Sequence, residues 1–346
     1  MDKETYERQK AFAGEKKPSM QRRCVGHDYT MRQMYMVTMV TEGRRPLFGE
    51  VVGNSEAENG SSEAPRVVLT ALGQRVEACW QEIAVRWPQI KLVALQLMPD
   101  HLHGILFVKE QIDVPLGKVL LGFKQGCNKA YRELVPSVAV IQQQTGRQQT
   151  GRQQTGRNDR YHGLLFAPGF NDKLLLRQGQ LQRWLDYLHD NPRRLLMKRE
   201  HPDLFRVQRG LTVGTQQFSA IGNRFLLDRP VKLQVQCSRR LTDQQIEAEM
   251  ARLLALARKG AVLVSPSISP GEKRIMRAAF DEGLPLIILQ ENGFTDLAKP
   301  GGQRMDACAR GQLLLLAPWD HHNERLTIRR DQCLTLNDLA RMICEQ

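Results

Sequence analysis

Two β-rich runs, "IKLVALQLMP" (residues 90–99) and "HGILFVKE" (residues 103–110), are joined at Pro99–Asp100. So short a joint leaves no room for a crossover helix, so the pair belongs to an antiparallel sheet that other elements must cover. The flanking sequence offers those elements. "MYMVTMVT" (34–41) reads as a first strand. The polar stretch "FGEVVGNSEAENGSSEAPRV" reads as a loop. Residues 67–87 have helical spacing, with Leu69, Leu72, Val76, Trp80, Ile83 and Val85 as the apolar stripe. Residues 115–135 read as a second helix. "GLLFAPGFNDKLLL" (163–176) reads as a strand with a turn at Pro168–Gly169. "QGQLQRWLDYLHDNP" (178–192) reads as a further helix, which Pro192 should end near Asn191. Strand, helix, strand, strand, helix, strand is the ferredoxin-like order of split βαβ units, an α+β arrangement of an antiparallel sheet with helices on its faces.

The last third is written differently. From Leu241 an amphipathic helix, "LTDQQIEAEMARLLALARKG", precedes the continuous apolar runs "AVLVS", "LPLIILQ" and "QLLLLAP". Continuous apolar strands alternating with helices suggest a small parallel sheet. The expected division is a loose charged segment at 1–25, an α+β domain at 26–195, a connector at 196–240 and a Rossmann-like α/β domain at 241–346. The serines Ser265, Ser267 and Ser269 stand at a strand end before a helix, where anions are favoured. No dinucleotide glycine fingerprint accompanies them, and a supporting role is the simpler expectation for this domain.

With 346 residues the chain is long enough for two domains. Its formal net charge of +13 favours polyanionic partners, nucleic acid before membrane. No apolar run of ~18 residues is present to span a bilayer, and the N-terminus lacks the apolar core of a signal peptide. The seven cysteines are scattered without a Cys-x-x-Cys pair. Reduced thiols and a cytoplasmic location are the expectation.

The pentapeptide "QQTGR" occurs three times in succession, at 143–147, 148–152 and 153–157. Without apolar residues it cannot offset the ordering entropy of a packed element. A flexible basic insertion at about 137–160 is expected. Its arginines could meet phosphates, although a copied repeat tolerated in a loop is the simpler explanation.

In "LMPDHLHGIL", His101 and His103 are two apart in a strand, so they project from one face with Leu102 on the other. That spacing suits two imidazole ligands on one divalent ion. By themselves the two histidines fit a polar sheet face at least as well. Tyr187, between Trp184 and Leu188, could likewise be a core aromatic with a wet hydroxyl.

Four segments together weigh against those plainer readings. "MPDHLHGIL" resembles the two-histidine signature of HUH single-strand nucleases. It is most similar to that of the REP-associated tyrosine transposases and the related IS200-like single-tyrosine transposases. "MYMVTMVTEGRRPLFG", "LFAPGFNDKLLL" and "YLHDNPRR" resemble their first strand, fourth strand and nucleophile helix, in the same order, over roughly residues 25–230. Asp100 stands where the family often has Asn, and the QQTGR repeats lengthen a loop.

The resemblance implies a transposase-type endonuclease and strand transferase acting on single-stranded hairpins of repeat DNA, with a 5′-phosphotyrosine intermediate. Tyr187 would be the nucleophile. His101 and His103 would hold the metal with Asn191, which lies one helical turn after Tyr187 on the same face. This N,N,O set with open positions suits Mg²⁺ or Mn²⁺ better than structural zinc. A phenol is a poor nucleophile at neutral pH, with an ordinary pKa of ~10. The ion's part is to polarise and orient the phosphate. Asp172 would give the site weak support. Lys118, Lys124, Lys129 and Arg132 on the second helix, with Arg193 and Arg194 after the tyrosine, form a candidate DNA track. The family includes both monomers and homodimers.

The competing expectation is a DNA-binding module of the same fold that does not cut. A histidine-triad nucleotide hydrolase would need a third alternating histidine, and position 105 is Ile.

Overall fold

The structure, a computed structural model, describes residues 24, 26–58, 60–135, 164–323 and 327–346. The whole 137–160 insertion with its QQTGR repeats, and nearly all of the N-terminal segment, lie outside the described residues. The chain forms two compact units, one running through Leu196 and one starting at Met197.

The first unit is α+β. Its strands are β1 (Gln33–Val40), β2 (Gly49–Val52), β3 (Arg66–Leu69), β4 (Ile90–Met98), β5 (His101–Val108) and β6 (Asn171–Leu174). Its helices are α1 (Ala71–Arg86), α2 (Leu116–Leu134) and α3 (Gln180–Glu200), the last crossing the boundary between the units. The main sheet has the order β4-β5-β1-β6, and every pair in it is antiparallel.

Period-2 alternation gives the two faces of this sheet different jobs. Tyr35, Val37 and Met39 of β1 and Leu102, Leu106 and Val108 of β5 face one core, which α1 and α2 cover with Val76, Trp80, Val119, Phe123 and Cys127. Met36 of β1 and Ile105 of β5 face the other way, against Leu188, Trp184 and Tyr187 of α3. Gly104 belongs to the first face: a Cβ there would lie 2.3 Å from the Trp80 ring, so the indole takes the space any other residue would fill.

Three expectations need correction. The polar stretch before α1 is not all loop, because β2 and β3 pair within it as an antiparallel ribbon. Consequently Leu69 belongs to a strand. Thr70 caps α1 by accepting from the Gly73 amide at 3.1 Å, and Val85 points outward at 82% exposure. The fourth strand is only Asn171–Leu174; the bend before it is held by Lys124, whose ammonium donates to the carbonyls of Ala167 and Gly169. Finally, α3 does not stop at Asn191. Pro192 sits inside it, and the helix continues to Glu200. Proline forfeits one helical hydrogen bond. Beyond it, however, Leu195 and Leu196 pack against Val51, Val67 and Met98, and this burial outweighs the lost bond.

The second unit is built on a six-stranded sheet. Its strands are β7 (Gln208–Val213), β8 (Gln216–Gly222), β9 (Lys232–Gln234), β10 (Val262–Ser265), β11 (Leu286–Leu289) and β12 (Leu313–Ala317), and its helices are α4 (Asp243–Ala257), α5 (Pro270–Asp281), α6 (Gln303–Ala309) and α7 (Arg330–Cys344). The order is β7-β8-β12-β11-β10-β9; β9 to β12 run parallel, and β8 is antiparallel to β12. Residues 196–240, expected as a connector, therefore supply three of the six strands. These strands are short, and β7 and β8 carry polar residues on their outer face, which hid them among loops.

Both faces of this sheet are buried. Leu263, Leu286, Leu313 and Leu315 pack with α4, α5 and α6, whereas Val262, Val264, Ile287, Leu289, Leu314 and Leu316 pack with α7. Ser269 and Glu272 form a capping box at the start of α5, with Glu272 also accepting from the amides of Ile268 and Cys237. Among the described residues, no helix is long and apolar enough to cross a membrane. All seven cysteines are unbridged.

Candidate functional site

The two-residue joint Pro99–Asp100 is pinned from both sides. The Phe48 amide donates to the Pro99 carbonyl at 3.0 Å and the Thr41 amide to the Asp100 carbonyl at 2.9 Å. This fixes the start of β5. His101 and His103 then project from the α3 face, with ring centroids 4.9 Å apart.

Each imidazole is held through Nδ1. His101 Nδ1 donates to Asp100 Oδ1 at 2.6 Å. His103 Nδ1 lies 2.8 Å from the hydroxyl of Thr38, its register partner on β1. Donation from Nδ1 leaves the lone pair of His101 on Nε2, the arrangement in which histidines serve as metal ligands, and His103 shares it when its Nδ1 donates to the Thr38 hydroxyl. Neither Nε2 has a hydrogen-bond partner among the described residues.

Burial opposes ionisation of Asp100, but the His101 ring and the Arg44 guanidinium outweigh it and hold its carboxyl below the ordinary range. Arg44 reaches Asp100 Oδ2 at 3.3 Å. Burial pushes His103 down to about 3, and the neighbouring His101 and Arg44 add to the effect by opposing a second positive charge there. His103 is therefore a neutral base at physiological pH.

Tyr187 comes from α3. Its ring meets His103 edge-on at 5.6 Å between centroids and Trp184 at 5.5 Å. The Arg194 guanidinium stands over the tyrosine at 5.9 Å and also approaches Asp190 at 3.7 Å. Asn191, one turn beyond Tyr187, is 8% exposed, and its Nδ2 has no hydrogen-bond partner among the described residues. A buried N–H left in this state costs ~1–3 kcal/mol, which an acceptor such as a phosphate oxygen would recover, whereas a cation would be held by the Oδ1 of the same amide. Two Nδ1-anchored imidazoles, with the Oδ1 of Asn191 as a candidate oxygen donor, are a donor set of the kind that suits a divalent ion with open positions. Among the described residues, no cluster of three or more His, Cys, Asp or Glu side chains is placed to hold a metal.

The other expected residues divide by sheet face. Asp172 registers opposite Val37 and lies with Tyr29, on the α1/α2 side away from the histidines. There, burial together with a hydrogen bond to Asp172 raises the Tyr29 phenol to about 12. The β6 residues on the histidine face are its neighbours: Asn171, opposite Thr38, and Lys173, whose ammonium lies 5.1 Å from the Trp184 ring. Lys118, Lys124, Lys129 and Arg132 ride on α2, across the sheet from the histidines, and Lys124 is occupied by backbone carbonyls. Lys129 leans toward Glu133 at 4.0 Å. Arg193 donates to Asp190 at 2.6 Å. Thr38, Arg44, Asn171 and Lys173 were missed in the sequence. Only strand register could have found Thr38, because its link to His103 spans 65 positions.

No family model matches the chain. Over 86 residues it is 28% identical to an uncharacterized protein of Haemophilus influenzae, covering 25% of this chain and 42% of that protein, so it spans less than half of that relative. Three solved structures overlap it in part. A REP-associated tyrosine transposase bound to a REP hairpin matches at TM-score 0.30 and 15% identity, over 48% of this chain and 70% of that one. A candidate transposase from Deinococcus radiodurans matches at TM-score 0.27 and 14% identity, over 47% and 96%. DNA processing protein A of Helicobacter pylori, described for its single-stranded DNA binding, matches at TM-score 0.31 and 18% identity, over 40% and 66%.

Proposed function

We propose that the chain is a metal-dependent endonuclease and strand transferase of single-stranded DNA, of the REP-associated tyrosine transposase kind. On this reading the first unit is a ferredoxin-like HUH domain and the second a Rossmann-like domain. The observation that carries the proposal is the meeting of two Nδ1-anchored imidazoles with a tyrosine ring, 5.6 Å from His103, on one sheet face.

His101, His103 and the Asn191 amide would hold Mg²⁺ or Mn²⁺. Bound there, the ion supplies polarisation of the scissile phosphate. Tyr187 Oη attacks the phosphorus and the P–O3′ bond breaks. The phenol gives its proton to solvent, and the departing 3′-oxygen takes one up. The 5′-phosphotyrosine keeps the phosphodiester energy, so reversal by a 3′-hydroxyl reseals a strand without ATP. His103 stays neutral and its lone pair stays available. Thr38 and Asp100 fix the ring orientations. Arg44, Lys173 and Arg194 surround this face and would meet backbone phosphates. The partners on this reading are hairpins of repeat DNA, and the protein works in the cytoplasm as a monomer or homodimer.

The test is covalent capture. The full chain is incubated with end-labelled single-stranded hairpin DNA from the repeats flanking its gene, with Mn²⁺, and resolved on a denaturing gel. A shifted adduct in the wild type that is absent in Tyr187→Phe and His103→Ala is the expected result. Hairpin binding without any adduct would replace the enzyme with a non-cutting module.

A further inference from the structure

The second unit carries a cleft independent of the histidine site. It lies between α5 and α6, has a volume of about 320 Å³ and borders the chain just beyond β10 at Ser267. That is small for a ligand cleft, whose usual range is ~300–1,000 Å³. Met276, Phe280 and Ile288 make an apolar floor, and Lys273, Arg277 and Arg304 supply the charge. No acidic side chain lines it.

The state of the three cations is informative. Several arginines elsewhere in the unit pair with carboxylates, among them Arg252 with Glu249 at 2.7 Å, Arg258 with Glu282 at 2.8 Å and Arg209 with Asp296 at 2.7 Å. In the cleft, Arg277 alone is paired, to Asp281 at 2.7 Å. It also donates to Gln303 at 3.1 Å, linking α5 to α6, and its guanidinium stands 5.5 Å from the Phe280 ring. Lys273 and Arg304 have no carboxylate partner among the described residues. Both are solvent-exposed and line the same cleft, so an anion entering it would meet two cations that no carboxylate occupies. The location outside the carboxyl end of a parallel strand is where open α/β sheets take ligands.

We infer that the cleft between α5 and α6 binds a nucleoside phosphate, its phosphate between Lys273 and Arg304 and its base on the Met276–Phe280–Ile288 floor. The cleft has room for one nucleotide rather than a dinucleotide. The ligand is either a free nucleotide or one residue of a single strand.

Binding of a fluorescent mant-ADP probe and of a labelled 5′-phosphorylated tetrathymidylate is followed by anisotropy on the full chain, without divalent metal. The wild type is compared with Lys273→Glu/Arg304→Glu and with the charge-matched control Arg239→Glu/Arg240→Glu, which lies on an exposed turn. Thermal melts confirm that all three are folded. Saturable mant-ADP binding that weakens about tenfold or more only in the cleft variant supports a free nucleotide. The same selective loss seen only for the tetranucleotide supports a strand residue. Absence of saturable binding to either probe, or an equal loss in both variants, overturns the inference. None of these outcomes depends on Tyr187 or His103.

Discussion

The two sheets of this protein use the same alternation of side chains to opposite ends. In the first, one face is a core and the other carries the candidate site: Leu102 is fully buried in the core that Trp80 shares, while His103, next to it, meets Thr38 and Tyr187. In the second, both faces are core: Leu286 packs toward α4–α6, and Ile287, next to it, packs with α7. An antiparallel sheet with one lightly covered face can place reactive groups in mid-strand. A parallel sheet covered on both sides must place them at strand ends and between helices. The histidine site and the α5–α6 cleft sit accordingly.

Adjacent-residue truncations test this contrast most strongly. In β11, Leu286→Ala and Ile287→Ala should each lower unfolding stability by ~2–5 kcal/mol in denaturant melts. In β5, Leu102→Ala should cost the same ~2–5 kcal/mol, but His103→Ala only ~1 kcal/mol. Equal losses for the β5 pair would show that the histidine face is a second core. Mn²⁺ should raise the wild-type midpoint and leave that of His103→Ala unchanged.

Acid should act on the first sheet through His103. Its pKa is about 3 when folded, against ~6.5 for a free imidazole. Between those values the unfolded chain binds a proton that the folded chain does not, so stability is full above pH ~6.5 and falls as pH drops toward 3. With EDTA present, the wild type should lose ~2–3 kcal/mol more than His103→Gln between pH 7 and 4.5. Parallel curves for the two proteins would place His103 in water.

Gly104→Ala should cost ~1–3 kcal/mol by forcing a Cβ against the Trp80 ring, without moving the histidines to another face. The smallest effects concern the cations on the two sides of the sheet. Arg194→Ala should weaken hairpin binding several-fold and lower the salt slope by about one. Lys118→Ala, across the sheet, should change binding by less than about twofold. The reverse order would return the DNA track to α2.

The strand-based part of the site was legible because period 2 in a strand is local geometry: two histidines flanking a leucine share a face whatever surrounds them. That Tyr187 and Asn191 lie one turn apart on a helix was legible for the same reason. Sidedness across elements was not. Asp172 is one residue from the histidine face, and only pairing with Val37 shows that it points away. The α2 lysines look like a track in the sequence, yet their helix covers the opposite core. Pro192 is a local stop signal that packing of Leu195 and Leu196 overrides.

The sequence by itself determined which strands alternate and which are continuously apolar, and therefore that one sheet is antiparallel and the other largely parallel. It also determined that two imidazoles share one face. Only the tertiary structure decided which nitrogen of each ring is held, which helix covers which face, and that β7–β9 join the second sheet. Periodicity is a property of a few successive residues, whereas Thr38 and His103, or β9 and β10, meet only when distant segments are brought into register by burial.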